Sequence, residues 1–157
     1  MSLSYHEASG PRFSLLPGSN TQFVVSDKGP ERFAKRYMAN SRRVLIVDDN
    51  VDLAENIAEI LQIDGHRTEV ASSAEEALER VLGSDLDAVV TDYRLPGISG
   101  ALFIERIRKN GNPLLAVVIS AYTDDQTIRE AQEAGATFMA KPVDFKVLSQ
   151  WIRAGSA

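Results

Sequence analysis

Five residues able to do chemistry close apolar runs in this chain. Asp48 and Asp49 end "VLIVDDN", Asp92 ends "AVVTD", Ser120 ends "LLAVVIS", and Lys141 follows "TFMA". Taken one at a time, each has a plain structural use as a cap, a turn residue or a surface lysine. Taken together they pose a charge problem. Three neighbouring carboxylates repel and raise one another's pKa values. A hard divalent cation resolves this. Mg²⁺ prefers oxygen ligands and takes one or two carboxylates plus phosphate oxygens. Asp49 and Asp92 are the expected direct ligands, with Asp48 acting directly or through water. Lys141 offers a point charge to a phosphate oxygen, and Ser120 a hydrogen bond to another. Asp92 would also be a nucleophile, because aspartate can form an aspartyl-phosphate. Metal and lysine together would neutralise an in-line transferring phosphoryl group.

This chemistry requires that the runs be strands of one sheet. From Arg43 the pattern is regular. "RVLIV" reads as a buried strand, and Leu53, Ile57, Ile60 and Leu61 follow at helical spacing, with Gly65 at the helix end. "HRTEV" alternates like a half-exposed strand. Ser73 and Glu76 form a capping box before a helix with Ala74, Ala77, Leu78, Val81 and Leu82 on its apolar face. "LDAVVT" is a strand, Ser99 to Asn110 a helix, and "LLAVVIS" a strand. Thr123 with Gln126 is expected to cap the next helix, which ends at Gly135. "TFMA" is a short strand, and Phe145 to Arg153 the last helix. Strict alternation with short loops predicts an α/β fold, a doubly wound (βα)₅ three-layer sandwich on a parallel sheet. Strands one, three and four are continuously apolar, as central strands are, which gives the order 2-1-3-4-5. Ligands of such sheets bind outside the carboxyl ends of the strands, where all five residues would meet.

Bulk properties narrow the function. The 157 residues suffice for one domain plus an appendage, and there is no cysteine. Disulfides, thiolate metal sites and cysteine nucleophiles are therefore excluded. The longest apolar runs are strand-sized, so no membrane insertion is expected. With no secretory pattern at the N-terminus, a cytoplasmic location is expected. Of 17 Lys/Arg and 22 Asp/Glu, six and three lie in residues 1–42, leaving 11 and 19 beyond. A body this acidic is not expected to bind nucleic acid directly.

Residues 42–157 resemble the receiver domain of bacterial two-component response regulators. The resemblance rests on the acidic pair of "VLIVDDN", the acceptor of "VVTDYRLPGISG", the hydroxyl of "VVISAY" and the lysine of "FMAKPVD", in that order. It implies a flavodoxin-like fold and a dependence on Mg²⁺, for which Mn²⁺ can substitute. The ligands would be Asp48, Asp49, Asp92 and the backbone carbonyl of Arg94. It implies phosphoryl transfer to Asp92 from a histidine kinase or phosphotransfer domain, with Lys141 and Ser120 assisting, and a cis peptide between Lys141 and Pro142. It assigns a conformational switch to Ser120 and Phe138, read by a downstream protein on the face of the fourth helix, fifth strand and fifth helix. Arg94 and Tyr122 would flank the site and affect water access. Such a domain is a phosphoacceptor with autophosphorylation and autodephosphorylation chemistry rather than an enzyme acting on a separate substrate.

Three other readings fit less well. A haloacid-dehalogenase-type phosphatase needs an acid two positions after the nucleophile, where Arg94 stands. A flavodoxin binding flavin would meet repulsion from Asp48 and Asp49. A degenerate interaction module would have no reason to keep the whole constellation. Residues 1–41 form a linker or arm. Within it "RFSLL" and "TQFVV" flank "PGSN" as a hairpin would, and a helix is allowed from Pro30. "RFSLLPGSN" faintly resembles the tail of a histidine-kinase ATPase domain, so a stand-alone receiver and the receiver end of a hybrid kinase both fit. No output domain is expected after the last helix. The arm packing on a receiver would make a homodimer.

Overall fold

A computed structural model describes residues 40–155. The hairpin and helix expected in the arm lie outside these residues. Strands β1 (Arg43–Val47), β2 (Arg67–Ala71), β3 (Ala88–Asp92), β4 (Leu115–Ser120) and β5 (Thr137–Ala140) alternate with five helices. These are α1 (Val51–Ile63), α2 (Ala74–Gly83), α3 (Gly100–Lys109), α4 (Asp125–Glu133) and α5 (Phe145–Ala154). The sheet is parallel throughout, in the order β2-β1-β3-β4-β5.

The order follows from burial. β1, β3 and β4 are apolar along nearly their whole length and are covered on both faces. One face packs Val44, Ile46, Val90, Val117 and Ile119 beneath α1 and α5. The other packs Leu45, Val47, Val89 and Val118 beneath α2, α3 and α4, with Phe103, Ile104 and Ile107 filling the layer. β2 and β5, only partly buried, form the edges.

Helix ends carry their own signals. α1 and α4 finish on Gly65 and Gly135, both at positive φ. In each, the glycine N–H and the next N–H return to carbonyls of the last turn, from Gly65 to Gln62 and His66 to Leu61, and from Gly135 to Gln132 and Ala136 to Ala131. At the start of α2, Ser73 accepts the Glu76 N–H as expected. The Glu76 carboxylate, however, reaches past Ser73 to the Ser72 N–H at 2.9 Å, so the box closes one residue earlier.

Three local expectations are corrected. α4 is capped by Asp124, whose carboxylate accepts both the N–H and the hydroxyl of Thr127 at 2.9 Å. A charged acceptor taking two donors outcompetes the Thr123 hydroxyl one residue earlier. Leu82 is 71% exposed, because α2 turns it past the edge of its buried stripe of Ala74, Ala77 and Val81. His66 precedes β2 rather than opening it, and is buried. Among the described residues no helix is long and apolar enough to cross a membrane.

Candidate phosphoacceptor and metal site

All five chemistry-bearing residues stand at the carboxyl end of the sheet, since β1, β3, β4 and β5 run the same way and stop at the same level. β1 delivers Asp48 and Asp49. Asp48 is 4% exposed, and its Oδ1 accepts the Asn50 N–H at 2.9 Å. Asn50 in turn caps α1 by accepting the Leu53 N–H, so the acidic pair is fixed by the first turn of a helix. β3 ends on Asp92 itself. The following chain is pinned at once: the Tyr93 N–H donates to the Ile119 carbonyl and its own carbonyl accepts the Gly100 N–H, both at 2.7 Å.

The carboxylates of Asp48, Asp49 and Asp92 offer oxygens that all lie within 4.8 Å of one another. One cation stands among them. Lys141 Nζ is 2.9 Å from Asp92 Oδ1 and 3.8 Å from Asp48 Oδ2. Burial pushes the Asp48 carboxyl above its ordinary pKa. The Asn50 N–H opposes this, the charge on Asp92 adds to it, Lys141 opposes, and Asp49 adds. Three acids against one ammonium leave a surplus of negative charge in a half-enclosed, all-oxygen donor set. That composition fits a hard divalent cation and not a soft one.

Ser120 is 1% exposed, and its Oγ accepts the Tyr122 N–H at 3.0 Å. The Ser120 carbonyl accepts the Lys141 N–H at 2.8 Å, which ties the hydroxyl-bearing strand to the lysine-bearing one. The Lys141–Pro142 peptide is cis. Phe138 lies opposite Val118 in the β4–β5 register and packs on the core beneath α2, α3 and α4. Arg94 and Tyr122 come together beside the site, the guanidinium carbon 3.8 Å from the ring centroid, in a cation–π stack.

Sequence reasoning missed one residue that the site depends on. Gly100 opens α3, and a Cβ there would sit 2.2 Å from the Asp92 carbonyl oxygen. No side chain fits, so glycine is what lets α3 start directly against the strand carrying Asp92. The only signal was its place after the N-cap Ser99 in "GISG", which does not reveal a close approach across the fold.

The chain that carries this arrangement is similar to known proteins. A response regulator receiver protein of Anaeromyxobacter sp. (strain Fw109-5) is 39% identical over 103 residues, covering 65% of this chain and 43% of that protein. Sporulation initiation phosphotransferase F of Bacillus subtilis (strain 168) is 30% identical over 105 residues, covering 66% of this chain and 85% of that one. Among solved structures, the response regulator protein TrrA of Thermotoga maritima in complex with Mg²⁺-BeF superposes with a TM-score of 0.66 at 28% identity, over 73% of this chain and 99% of that one. The chain thus spans less than half the length of the first of these relatives. Its residues 44–153 match the response regulator receiver domain family. Fold, rim and family match coincide over one stretch, and the chain belongs to the response regulator receiver domains of two-component signalling.

Proposed function

We propose that Asp92 is the phosphoacceptor of this receiver, with a histidine kinase or phosphotransfer domain as donor. The observation that carries the reading is the pairing of Asp92 with Lys141 at 2.9 Å inside a cluster of three carboxylates. An Asp92 carboxylate oxygen forms the new O–P bond. The bond from phosphorus to the donor breaks, and its electron pair leaves with the donor. Lys141 gives up its contact with the carboxylate for one with a phosphoryl oxygen. Ser120 turns its hydroxyl from the Tyr122 N–H towards the phosphoryl group. Asp48, Asp49, Asp92 and the Arg94 carbonyl would hold Mg²⁺, or Mn²⁺ in its place, which supplies positive charge to the transferring phosphoryl oxygens.

The phosphoryl group changes the fold through Ser120 and Phe138, and a downstream protein reads α4, β5 and α5. Arg94 and Tyr122, stacked at the rim, govern water access to the acyl phosphate. The receiver module occupies residues 42–157, with 1–41 as a linker or arm, and it works as a signalling domain in the cytoplasm, alone or at the end of a hybrid kinase.

Acetyl phosphate with Mg²⁺ tests the central claim. Mass spectrometry should find one added phosphoryl group, labile to hydroxylamine, on the wild-type chain. Asp92→Asn should gain none, and an Asp92→Asn protein that still gains that mass sinks the assignment.

A further inference from the structure

Tyr93, the residue after Asp92, ties β3 to α4. Its backbone is held on both sides by the bonds to Ile119 and Gly100. Its ring packs on the core beneath α2, α3 and α4. Its hydroxyl donates to Glu130 Oε2 on α4 at 2.5 Å. The second Glu130 oxygen accepts from Gln126 Nε2 at 3.0 Å, which fixes the carboxylate on the helix surface. Buried Thr127, one turn earlier, lies against the same phenol and is itself bonded to the capping Asp124. One side chain rooted beside Asp92 thus meets the first two turns of α4. The bond holds the Glu130 carboxyl below its ordinary pKa, as a charge-assisted hydrogen bond should.

α4 has little else to hold it. It buries only Thr127 and Ala131, whereas α3 buries Gly100, Ala101, Phe103, Ile104 and Ile107. An element with few buried apolar side chains opens and shifts at low cost. It also begins close to the site: Asp124, its cap, is four residues after Ser120. Turning the Ser120 hydroxyl away from the Tyr122 N–H therefore breaks a tether on the segment that leads into α4 and frees it to move. A short directional bond between Tyr93 and Glu130 resists that movement.

We propose that the Tyr93–Glu130 hydrogen bond is a latch of the unphosphorylated state, holding the first half of α4 against β3 and opposing the rearrangement that a phosphoryl group on Asp92 drives. Tyr93 is a positioning residue, acting through α4 and not on the reacting atoms. The inference rests on Asp92 being the phosphoacceptor. A contact that favours one of two states lowers affinity for any ligand of the other. Removing the latch must then tighten binding of a phosphoryl mimic.

Beryllofluoride with Mg²⁺ is the probe, titrated calorimetrically into the full chain, Tyr93→Phe, Glu130→Ala and the double variant. Each single change should tighten binding by about threefold to tenfold, the range of an ordinary hydrogen bond, since solvent at the helix surface screens the charge on Glu130. The double variant should bind no tighter than the tighter single, because both remove one bond. Without ligand, backbone amides of α4 should exchange faster in both singles than in the wild type. Affinity that is unchanged or weaker in either single overturns the latch, and so does a double variant equal to the product of the singles. Should Tyr93→Phe disturb folding, Glu130→Ala carries the test on the helix surface. Failure of the wild-type chain to bind the probe at all removes the phosphoacceptor reading, and the latch with it.

Discussion

The two ends of the sheet treat polar groups in opposite ways. At the amino end most are consumed. The Arg43 N–H donates to Asp87 Oδ2 at 2.7 Å, and the Asp87 N–H returns to the Arg43 carbonyl. The Asp87 carbonyl accepts the Leu115 N–H, so one residue links β1, β3 and β4 before any of them is under way. The Ser41 hydroxyl donates to the Gly65 carbonyl, and Arg153 to that of Asp64. At the carboxyl end, three carboxylates crowd around one ammonium. Among the described residues, the first end pairs its groups apart from Arg42 Nε and His66 Nε2, and closes the fold. The second keeps charge unsatisfied, which costs stability and, in the function proposed above, leaves a place for a cation and a phosphoryl group.

Substitutions should separate the ends. The largest effect is expected at Gly100, where Gly100→Ala drives a methyl into the Asp92 carbonyl oxygen. Backbone cannot yield cheaply, so urea unfolding should show a loss of about 3 kcal/mol, and phosphorylation by acetyl phosphate should slow with it. A variant with wild-type stability would mean that the β3–α3 junction is loose. Next comes the metal. Mg²⁺ at ten times its Kd should stabilise the wild-type chain by about 1.4 kcal/mol, since it binds the folded state. Asp49→Ala should lose most of that gain in a thermal melt. It should also melt no lower than the wild type without metal, because it removes one of three repelling charges. Retention of the full Mg²⁺ effect would place the ion elsewhere.

Much of this was legible in the sequence for a physical reason. Parallel strands buried on both faces are apolar throughout, so their ends are sharp, and each polar residue that stops a run is a strand exit. Asp48, Asp92 and Ser120 were placed that way, and so was the strand order, while Lys141 closes the short edge run "TFMA". Caps were less legible, because several candidates sit side by side and geometry chooses. Thr123 and Asp124 are adjacent, and only the backbone decides that Asp124 takes both donors of Thr127. Contacts across the fold left no trace. Neither the fit of Gly100 on Asp92 nor the reach of Tyr93 to Glu130, 37 residues away, has a local pattern.

Asp87 sharpens the comparison from the other side. Its carboxylate is partly exposed and accepts one backbone N–H. Asp87→Ala should cost about 1 kcal/mol of stability, while the rate of phosphorylation by acetyl phosphate in Mg²⁺ stays at the wild-type value. A slowed rate at unchanged stability would show that the two ends are coupled and that the division of labour fails.

The smallest effect is expected at His66, the buried titratable group of the amino end. It is 4% exposed, and its Nδ1 accepts the Arg42 N–H at 3.2 Å. That bond places the proton on Nε2, which is buried without a hydrogen-bond partner among the described residues. Burial holds the imidazole below its ordinary pKa of 6.5. The neighbouring Arg153 and Arg42 push the same way, and Asp64 opposes them. The sign follows from proton counts. Near pH 7.5 the side chain is mostly neutral in both the folded and unfolded states. As pH falls below 6.5 the unfolded chain takes up a proton that the folded chain refuses, so stability declines until the folded form also protonates. His66→Asn keeps an acceptor for the Arg42 N–H and removes the titration. Urea unfolding at pH 7.5 and pH 5.5 should therefore show a larger acid-side loss in the wild type than in His66→Asn. The acids held below their ordinary pKa, Glu76, Asp124 and Glu130, are common to both proteins and cancel in the difference. Equal losses in the two proteins would mean that His66 accepts its proton in the folded state as readily as in the unfolded one.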